Sequence, residues 1–452
     1  MRGFPELSRP DDAKYARGGR EFASAADLSS APLRVNRQAL VEFLLDLYPN
    51  APSECPNADV ERLYAPLLTR ASSLPPDIGD SELRATMWSH LCAGVQSSTT
   101  GATRVAVALG GIDSSGVLAA LCESTPCSDI VAYTYDYADG VDEPFAEALC
   151  RAYGVTWRRL RVADAMAFVL KALVIDGLPS IGFGTAVELH LQSELAKVGI
   201  DRYLTGGFGD DLLGGEATMF GRAFLGSPIE GMKTLRKMHT PWPTTLWARV
   251  SQYVAKPLLH ELFPDGLQTK RVERGLRRRA PWIARGAGAI PEHLASALAA
   301  RHRPPRSPTA LRKYRAPMYH HGLAARAQVV ASGGVSRGDP LLAEPFARFA
   351  SSVPILRLYS GGQHRGTYRK CLPARVPSSV RNRVAKAMMG DQLERFAEAQ
   401  RSALAPLATV ERLASLGLVD AIRFREAFFA HSPSDATIWA ALSAEAFLRN
   451  TL

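Results

Sequence analysis

The stretch from Val105 to Leu121, VAVALGGIDSSGVLAAL, constrains the fold of this chain more than any other. A short run of apolar, strand-forming residues meets Gly110 and Gly111, and apolar residues at helical spacing follow. The Asp-Ser-Ser triplet at 113–115 stands where the N-cap of that helix is expected. A strand, a glycine turn and a helix N-terminus together form the usual anion-binding corner of a parallel α/β sheet.

Strand and helix patterns alternate along the chain after this turn. Strands are predicted over 130–135, 156–160 and 202–205, and helices over 142–153 and 187–197. Because parallel strands need crossover connections, such alternation predicts an α/β fold with a doubly wound parallel sheet.

The chain is predicted to contain three regions. Residues 1–82 are rich in Pro, Ser, Asp and Ala and predict a partly ordered N-terminal appendage. Within it, helices are predicted over 36–47 and 59–71. Residues 83–225 form the α/β domain, whereas 226–452 show no strand pattern. We therefore expect a mainly helical C-terminal part that binds substrate and completes the catalytic domain.

Composition places the chain among globular proteins. With 452 residues, of which 46% are hydrophobic, it can bury a substantial core. The start of the sequence lacks a signal-peptide pattern, and charges interrupt each long apolar stretch, so we expect a cytoplasmic protein that does not span a membrane. The six cysteines lack metal-binding CxxC pairs, and we expect buried free thiols.

Positive charge is concentrated in one segment. The formal net charge is +10, and residues 267–315 contain 13 Lys and Arg residues against two glutamates. Three interpretations stay open: a solvated basic surface, a site for an acidic peptide, carrier protein or phosphate-bearing substrate, and a nucleic-acid site, which is the least favoured.

A second acidic glycine turn, YLTGGFGDDLLGG at 203–215, follows the predicted strand over 202–205. An aspartate inside a phosphate-binding turn repels its ligand unless a cation intervenes, so Asp113 implies bound Mg²⁺. Because Mg²⁺ takes one or two carboxylates together with phosphate oxygens, Asp113 and Asp210 from neighbouring strand ends would suffice. The first turn is not a Walker A loop, since it lacks GxxxxGK[ST].

These two turns carry a family resemblance. LGGIDSS (109–115) resembles the pyrophosphate-binding SGGxDS motif of the ATP pyrophosphatase superfamily, and TGGFGDDLLGG (205–215) is similar to the SGxGxDExxGG element of its asparagine synthetase-like branch. The stretch between the two motifs, 133–155, is similar to that branch's strand followed by an Asp-, Glu- and Ala-rich helix. Looser similarities to later elements follow in the family's order at 339–354, 365–377 and 381–386, and the whole match spans roughly residues 83–400.

The resemblance implies a HUP-type nucleotide-binding domain and an ATP- and Mg²⁺-dependent ligase. Members of this branch adenylate a carboxylate, and an amine then displaces AMP to form an amide or lactam, with release of pyrophosphate. The implied substrate is a small-molecule or peptide carboxylate and amine of natural-product biosynthesis. Matched by position, the resemblance implies that Asp113 and Asp210 bind Mg²⁺ and that Lys386 stabilises the charge that develops during the reaction. It implies that the backbone of Tyr133, Thr134 and Tyr135 contacts adenine. The residues implied to bind the nucleotide phosphates are Gly110, Gly111, Asp113, Ser114, Ser115 and Gly206.

The sequence departs from the family pattern at several positions. Leu109 removes a serine hydroxyl from the first motif, Gly207 replaces an acidic residue of the second, and Phe208 replaces the glycine after it. The segment 332–340 lacks the glutamate of the GxExRxP element. With no cysteine after Met1 and few residues before the synthetase region, we expect no glutaminase domain, so the amine comes from the substrate or a second organic molecule.

Three alternative functions remain. A non-catalytic nucleotide-binding homologue would explain Leu109 and Gly207, and an RNA-modifying ATP pyrophosphatase would explain the positive charge. The GVSRG sequence at 334–338 fits the nucleophile elbow of a serine hydrolase, with Ser336 as nucleophile.

His190 is expected on a helix at the edge of the core. Tyr314, Tyr319 and His320 lie where relatives place residues that handle the amine, so one of them is a candidate proton acceptor. The oligomeric state stays open, with a homodimer as one option.

Overall fold

The computed structural model describes most of the chain in thirteen segments. They are residues 15–17, 20–22, 36–46, 61–62, 78–136, 141–175, 177–180, 182–214, 217–238, 245–262, 265–283, 334–383 and 389–451. None of the helices in these segments is long and apolar enough to cross a membrane.

The described residues form a five-stranded parallel sheet from the strands β4 (Val105–Ala108), β5 (Ile130–Tyr135), β6 (Thr156–Leu160), β9 (Arg202–Thr205) and β10 (Ser336–Gly338). The strand order across the sheet is β10-β9-β4-β5-β6. The predicted strands over 130–135, 156–160 and 202–205 are confirmed to the residue. Because β4 lies directly beside β9, the two glycine turns that follow these strands lie at the same edge of the sheet.

The described residues also form two smaller antiparallel sheets. Strand β1 (Tyr15–Arg17) pairs with β2 (Arg20–Phe22) and with β3 (Glu61–Arg62), and β7 (Val174–Ile175) pairs with β8 (Leu178–Pro179). The helix predicted over 59–71 is wrong at 61–62, because these residues pair with β1, and the remainder of that stretch lies outside the described residues.

Helices cover both faces of the sheet. One face packs against α2 (Asp80–Thr99), α3 (Ile112–Ser124) and α4 (Glu143–Tyr153), and the other faces α1 (Arg37–Asp46) and α6 (Gly184–Lys197). The short helix α5 (Val162–Ala165) follows β6. Alternate residues of β5 enter the two cores, because successive side chains of a strand point to opposite faces. The α/β doubly wound fold is therefore confirmed.

Most of the described chain after β9 is helical, as expected. The Asp210–Gly214 segment and the Ser251–Ala255 segment each form a π-helical turn. The helices are α7 (Ala217–Gly226), α8 (Pro228–Lys237), α9 (Leu246–Val250), α10 (Lys256–Leu262), α11 (Asp265–Arg279), α12 (Glu344–Ser352), α13 (Ile355–Leu358), α14 (Gly366–Cys371), α15 (Ser378–Arg381), α16 (Met389–Ala399), α17 (Arg401–Leu404), α18 (Glu411–Ser415), α19 (Ala421–Ala430) and α20 (Ala436–Thr451).

Strand β10 corrects the expectation that no strand follows residue 225. Its sequence, Ser-Arg-Gly, has no strand-forming side chain, and the backbone is extended because it pairs with β9. Ser336 lies within this strand, where its amide donates to the Asp201 carbonyl. A nucleophile elbow needs its serine on the turn between a strand and a helix, so the hydrolase interpretation is wrong.

Candidate active site

The first glycine turn is held by its own serine residues. Helix α3 begins one residue after Gly111, so Asp113, Ser114 and Ser115 lie in its first turn, and the N-cap expected at 113–115 is wrong. The Ser114 Oγ accepts hydrogen bonds from the amides of Gly110 (3.1 Å) and Gly111 (3.3 Å). The Ser115 Oγ donates to the Gly111 carbonyl at 2.8 Å. The two hydroxyls therefore fix the backbone that is predicted to meet the phosphates.

Space is open above the two glycines of this turn. No atom of the described residues, apart from chain neighbours, lies within 4 Å of where a Cβ on Gly110 or Gly111 would stand. Leu109, which replaces the family serine, is buried in the core on the α3 face of the sheet. The departure at 109 thus fills the core and leaves the space above the glycines open.

The second turn packs directly against the first. A Cβ on Gly206 would lie 2.4 Å from the Ser114 amide nitrogen, and one on Gly209 would lie 2.3 Å from Cγ of Asp113. Real Cβ atoms do not approach other heavy atoms so closely, so the contact depends on glycine at both positions. Phe208, between them, has a φ of 68°, in the left-handed region where the family motif has glycine.

One arginine joins the two predicted metal ligands. The Nη1 of Arg365 lies 3.1 Å from Oδ2 of Asp113, and its Nη2 contacts Oδ1 of Asp210. The side chain of Asp113 is 11% exposed and that of Asp210 is 64% exposed, so one carboxylate lies in the interior and the other at the surface. Arg365 opens the RGTYRKCLPARVP segment at 365–377, but sequence reasoning assigned it no contact.

Helix α14 positions Arg365 against the first turn. The Tyr368 hydroxyl donates to the Asp113 carbonyl at 3.0 Å. Burial, together with the nearby Asp113 carboxylate, raises the pKa of Tyr368 well above its usual value, so this hydroxyl stays protonated and remains a donor. A Cβ on Gly116 would lie 2.0 Å from the same hydroxyl, so glycine at 116 allows the close approach of α14 to α3.

A buried ion network fixes the end of β9. Arg337 on β10 contacts Glu188 at 3.1 Å and Asp339 at 3.0 Å. The Thr205 Oγ1 donates to Asp339 and accepts from Arg337, and it also accepts from the Gly207 amide at 2.9 Å. The network therefore connects the start of the second turn to strand β10 of the sheet. Sequence reasoning missed these residues, because β10 itself was not predicted.

The residues predicted to meet adenine form the last half of β5. The main chain of 133–135 lies beside the first turn, since the Leu109 amide donates to the Tyr133 carbonyl at 2.7 Å. The Tyr135 hydroxyl donates to the Val187 carbonyl at 2.9 Å and is therefore used within the fold. The adenine contact remains a prediction for the backbone at the end of this strand.

Several predicted residues lie outside the described part of the chain. They are Tyr314, Tyr319, His320 and Lys386. Arg383, three residues before Lys386, forms an ion pair with Asp142, which directly precedes α4. Because α4 follows β5, this pair places Arg383 at the edge of the sheet that carries the two turns.

The donor set suits magnesium better than a metal held by protein alone. Among the described residues, no three His, Cys, Asp or Glu side chains cluster as a metal cage, and the described cysteines are free thiols, with Cys150 buried and the others half-buried. Mg²⁺ is typically held by one or two carboxylates and by substrate phosphates. Both carboxylates contact the same guanidinium group, so the negative charges of the two turns lie close together.

The family model for asparagine synthase matches residues 90–449. The chain belongs to the asparagine synthase family. Membership indicates an ATP-dependent carbon–nitrogen ligase, and enzymes of the asparagine synthase family use ATP, typically with Mg²⁺. No curated protein matches the chain.

Proposed function

We propose that this asparagine synthase family member joins a carboxylate and an amine into an amide or lactam, through an acyl-adenylate, in natural-product biosynthesis. The carboxylate attacks the α-phosphorus of ATP, which breaks the bond to pyrophosphate and forms the acyl-adenylate. The amine then attacks the acyl carbon and displaces AMP. ATP is thereby converted to AMP and pyrophosphate, and the amine loses a proton.

One observation carries this proposal: Asp113 and Asp210 reach the same guanidinium from the ends of adjacent strands. Beside them, the backbone of Gly110 and Gly111 faces open space at the N-terminus of α3. A helix N-terminus attracts anions, whereas paired carboxylates attract a cation. A magnesium–nucleotide complex supplies both charges.

Each group has a definable task in this reaction. The first glycine turn, at the N-terminus of α3, would hold the pyrophosphate, and Asp113 and Asp210 would hold Mg²⁺, which would supply positive charge where the phosphate oxygens become more negative. Lys386 would add a mobile positive charge near the α-phosphate. The turns would keep the adenylate near the amine and away from water, which favours amide formation over hydrolysis.

The basic, exposed face of α11 supports the proposal that the substrate is an acidic peptide or is bound to an acidic carrier protein. Val272 and Leu276 pack this helix against the core on the α6 face, and the basic residues lie on the opposite side. The exposed basic residues of this face are Lys270, Arg271, Arg274, Arg277 and Arg278. Within it, Arg277 is partly neutralised by Glu273, at 2.8 Å. No exposed aromatic residue accompanies the basic side chains on the described part of α11, whereas single-stranded nucleic-acid sites use aromatic stacking.

Carboxylate-dependent exchange of labelled pyrophosphate into ATP tests the first half-reaction without knowledge of the amine. Small acids and acidic peptides would be screened with Mg²⁺ present. We expect Asp113→Asn and Asp210→Asn each to lower exchange by at least about 100-fold, as for loss of one transition-state electrostatic contact. Asp129→Asn, an exposed aspartate just before β5 at the opposite end of that strand, is the control and should retain full exchange.

A non-catalytic nucleotide-binding homologue is the second candidate, because Gly207 lacks the acidic side chain of the family motif. Calorimetry with ATP and Mg²⁺ distinguishes the two functions. Nucleotide binding without exchange for any acid would favour the homologue, whereas exchange that disappears in both aspartate variants supports the ligase.

A further inference from the structure

We propose that Arg365 is a cation latch: it occupies the position of the metal between Asp113 and Asp210 until nucleotide arrives, and then transfers to the phosphates. The inference rests on the ligase function proposed above and adds a regulatory step at the same site. It makes metal binding depend on ATP.

The contacts of Arg365 place it in competition with a metal. Its two terminal nitrogens engage Oδ2 of Asp113 and Oδ1 of Asp210, one oxygen of each carboxylate that would hold Mg²⁺. A divalent ion beside a buried guanidinium is repelled, and screening by water is weak there because Arg365 is almost fully buried. The metal therefore binds both carboxylates only when Arg365 leaves one or both of them.

The side chain and the backbone of Arg365 are each in an unfavourable state in this position. Its Nε is buried and has no hydrogen-bond acceptor among the described residues. Its backbone adopts φ 60° and ψ 28°, a left-handed conformation that residues other than glycine adopt rarely. A buried donor without an acceptor on a strained residue indicates that a further ligand completes the site.

A second arginine, Arg369, indicates that this further ligand is an anion. Arg369, one helical turn along α14, is fixed by bonds to the carbonyls of His364 and Arg381. Burial, and then the charge of Arg365, lower the pKa of Arg369, so the two cations lie close enough to repel each other. When a metal takes Asp113 and Asp210, both guanidinium groups need new negative charge.

The phosphate chain of ATP supplies that charge. A guanidinium pairs with phosphate through two parallel N–H donors, and the open space above Gly110 and Gly111 adjoins Asp113. Metal and nucleotide then bind cooperatively. The phosphates draw Arg365 away from the carboxylates that bind the metal, and the metal replaces Arg365 beside those carboxylates. By linkage, ATP must raise metal affinity by the same factor by which metal raises ATP affinity.

Titration with Mn²⁺, followed by electron paramagnetic resonance with and without ATP, tests the latch on the full chain. Wild-type protein should bind Mn²⁺ weakly alone and more tightly with ATP. Arg365→Met should bind Mn²⁺ alone about tenfold more tightly or better, and bind ATP about 10- to 100-fold more weakly when Mn²⁺ is present, because a charged hydrogen bond to phosphate is lost. Lys370→Met, an exposed charge on the same helix, is the control and should match wild type.

Arg365→Lys covers the case in which the methionine variant fails to fold, as judged by circular dichroism. An ammonium group keeps the charge but not the fork, so Mn²⁺ affinity should rise by a smaller factor. Mn²⁺ affinity equal to wild type in a folded Arg365 variant overturns the latch while leaving the ligase intact. Wild-type protein in which ATP does not promote Mn²⁺ binding overturns the ligase proposal itself.

Discussion

Gly206 and Ser114 lie so close that a Cβ on residue 206 would stand 2.4 Å from the Ser114 amide nitrogen. The second glycine turn is thus seated on the first residues of α3, and the distance between the predicted metal ligands is set by backbone contact. Glycine serves opposite purposes in the two turns: close packing at 206, and open access for a ligand at 110.

Gly206→Ala and Gly110→Ala should therefore fail in different ways. The first should destabilise the fold by about 1–3 kcal/mol, because the methyl group displaces backbone. The second should change the free energy of unfolding by less than about 1 kcal/mol but weaken ATP binding about tenfold or more, because its methyl group enters the open space. Urea unfolding and nucleotide calorimetry measure the two effects. Equal effects of both variants on stability would contradict this division.

Phe208 combines a left-handed backbone with a buried ring. Both Phe208→Gly and Phe208→Ala lose the ring, but only alanine keeps the strain of a positive φ, which costs roughly 1–2 kcal/mol. We expect the glycine variant to be more stable than the alanine variant by about 1 kcal/mol. Urea denaturation of the two variants gives the difference directly.

Phe349 is the matched control for this prediction. It is also buried but lies inside α12, where alanine is favoured over glycine by about 1 kcal/mol. Phe349→Ala should therefore be more stable than Phe349→Gly, the reverse of the order at 208. The same order at both positions would show that the backbone at 208 carries no strain.

His190 makes the stability of the fold depend on pH. It is buried on α6 beside the Tyr135 hydroxyl, at 3.0 Å, as expected for a residue at the edge of the core. Burial lowers the pKa of His190 below 6.5, although Glu194 acts in the opposite direction. The unfolded chain therefore takes up the proton at higher pH than the folded chain, and stability falls as the pH drops below 6.5.

His190→Gln removes the titrating group and keeps a polar side chain. The wild-type free energy of unfolding should decline relative to that of the variant between about pH 7 and pH 5, on either side of the unperturbed histidine pKa. Denaturant melts at several pH values measure the difference. A constant difference across that range would remove His190 as the source.

Charge reversal on α11 tests the acidic-substrate proposal. Arg271→Glu combined with Arg274→Glu changes exposed positions, so the free energy of unfolding should shift by less than about 1 kcal/mol. The KM for an acidic peptide in the exchange assay should rise about tenfold, with kcat little changed, and the effect should fade at high salt. Retention of RNA by the wild type but not the variant would instead favour the RNA-modifying alternative.

The periodicity of the sequence was sufficient for the central part of the fold. Strands β5, β6 and β9 run as predicted, because alternating or continuous apolar residues and turn glycines act over a few neighbouring positions. Helix α1 occupies Arg37–Asp46 of the predicted 36–47 for the same reason. The first residue of α3 was not predicted correctly, because the exact start of a helix depends on cap geometry, and here the N-cap is Gly111.

The two glycine turns, their aspartates and the family were determined by the amino-acid sequence alone. Tertiary structure decided that the Ser-Arg-Gly segment at 336–338 is a strand and that Arg365 meets Asp113 and Asp210. Arg365 lies 155 positions from Asp210 along the chain, and no local pattern records a contact over that distance. Such contacts form because packing of α14 on α3 and pairing of β10 with β9 bring remote residues together, and a buried charge such as that of Arg365 is stable only beside an opposite charge.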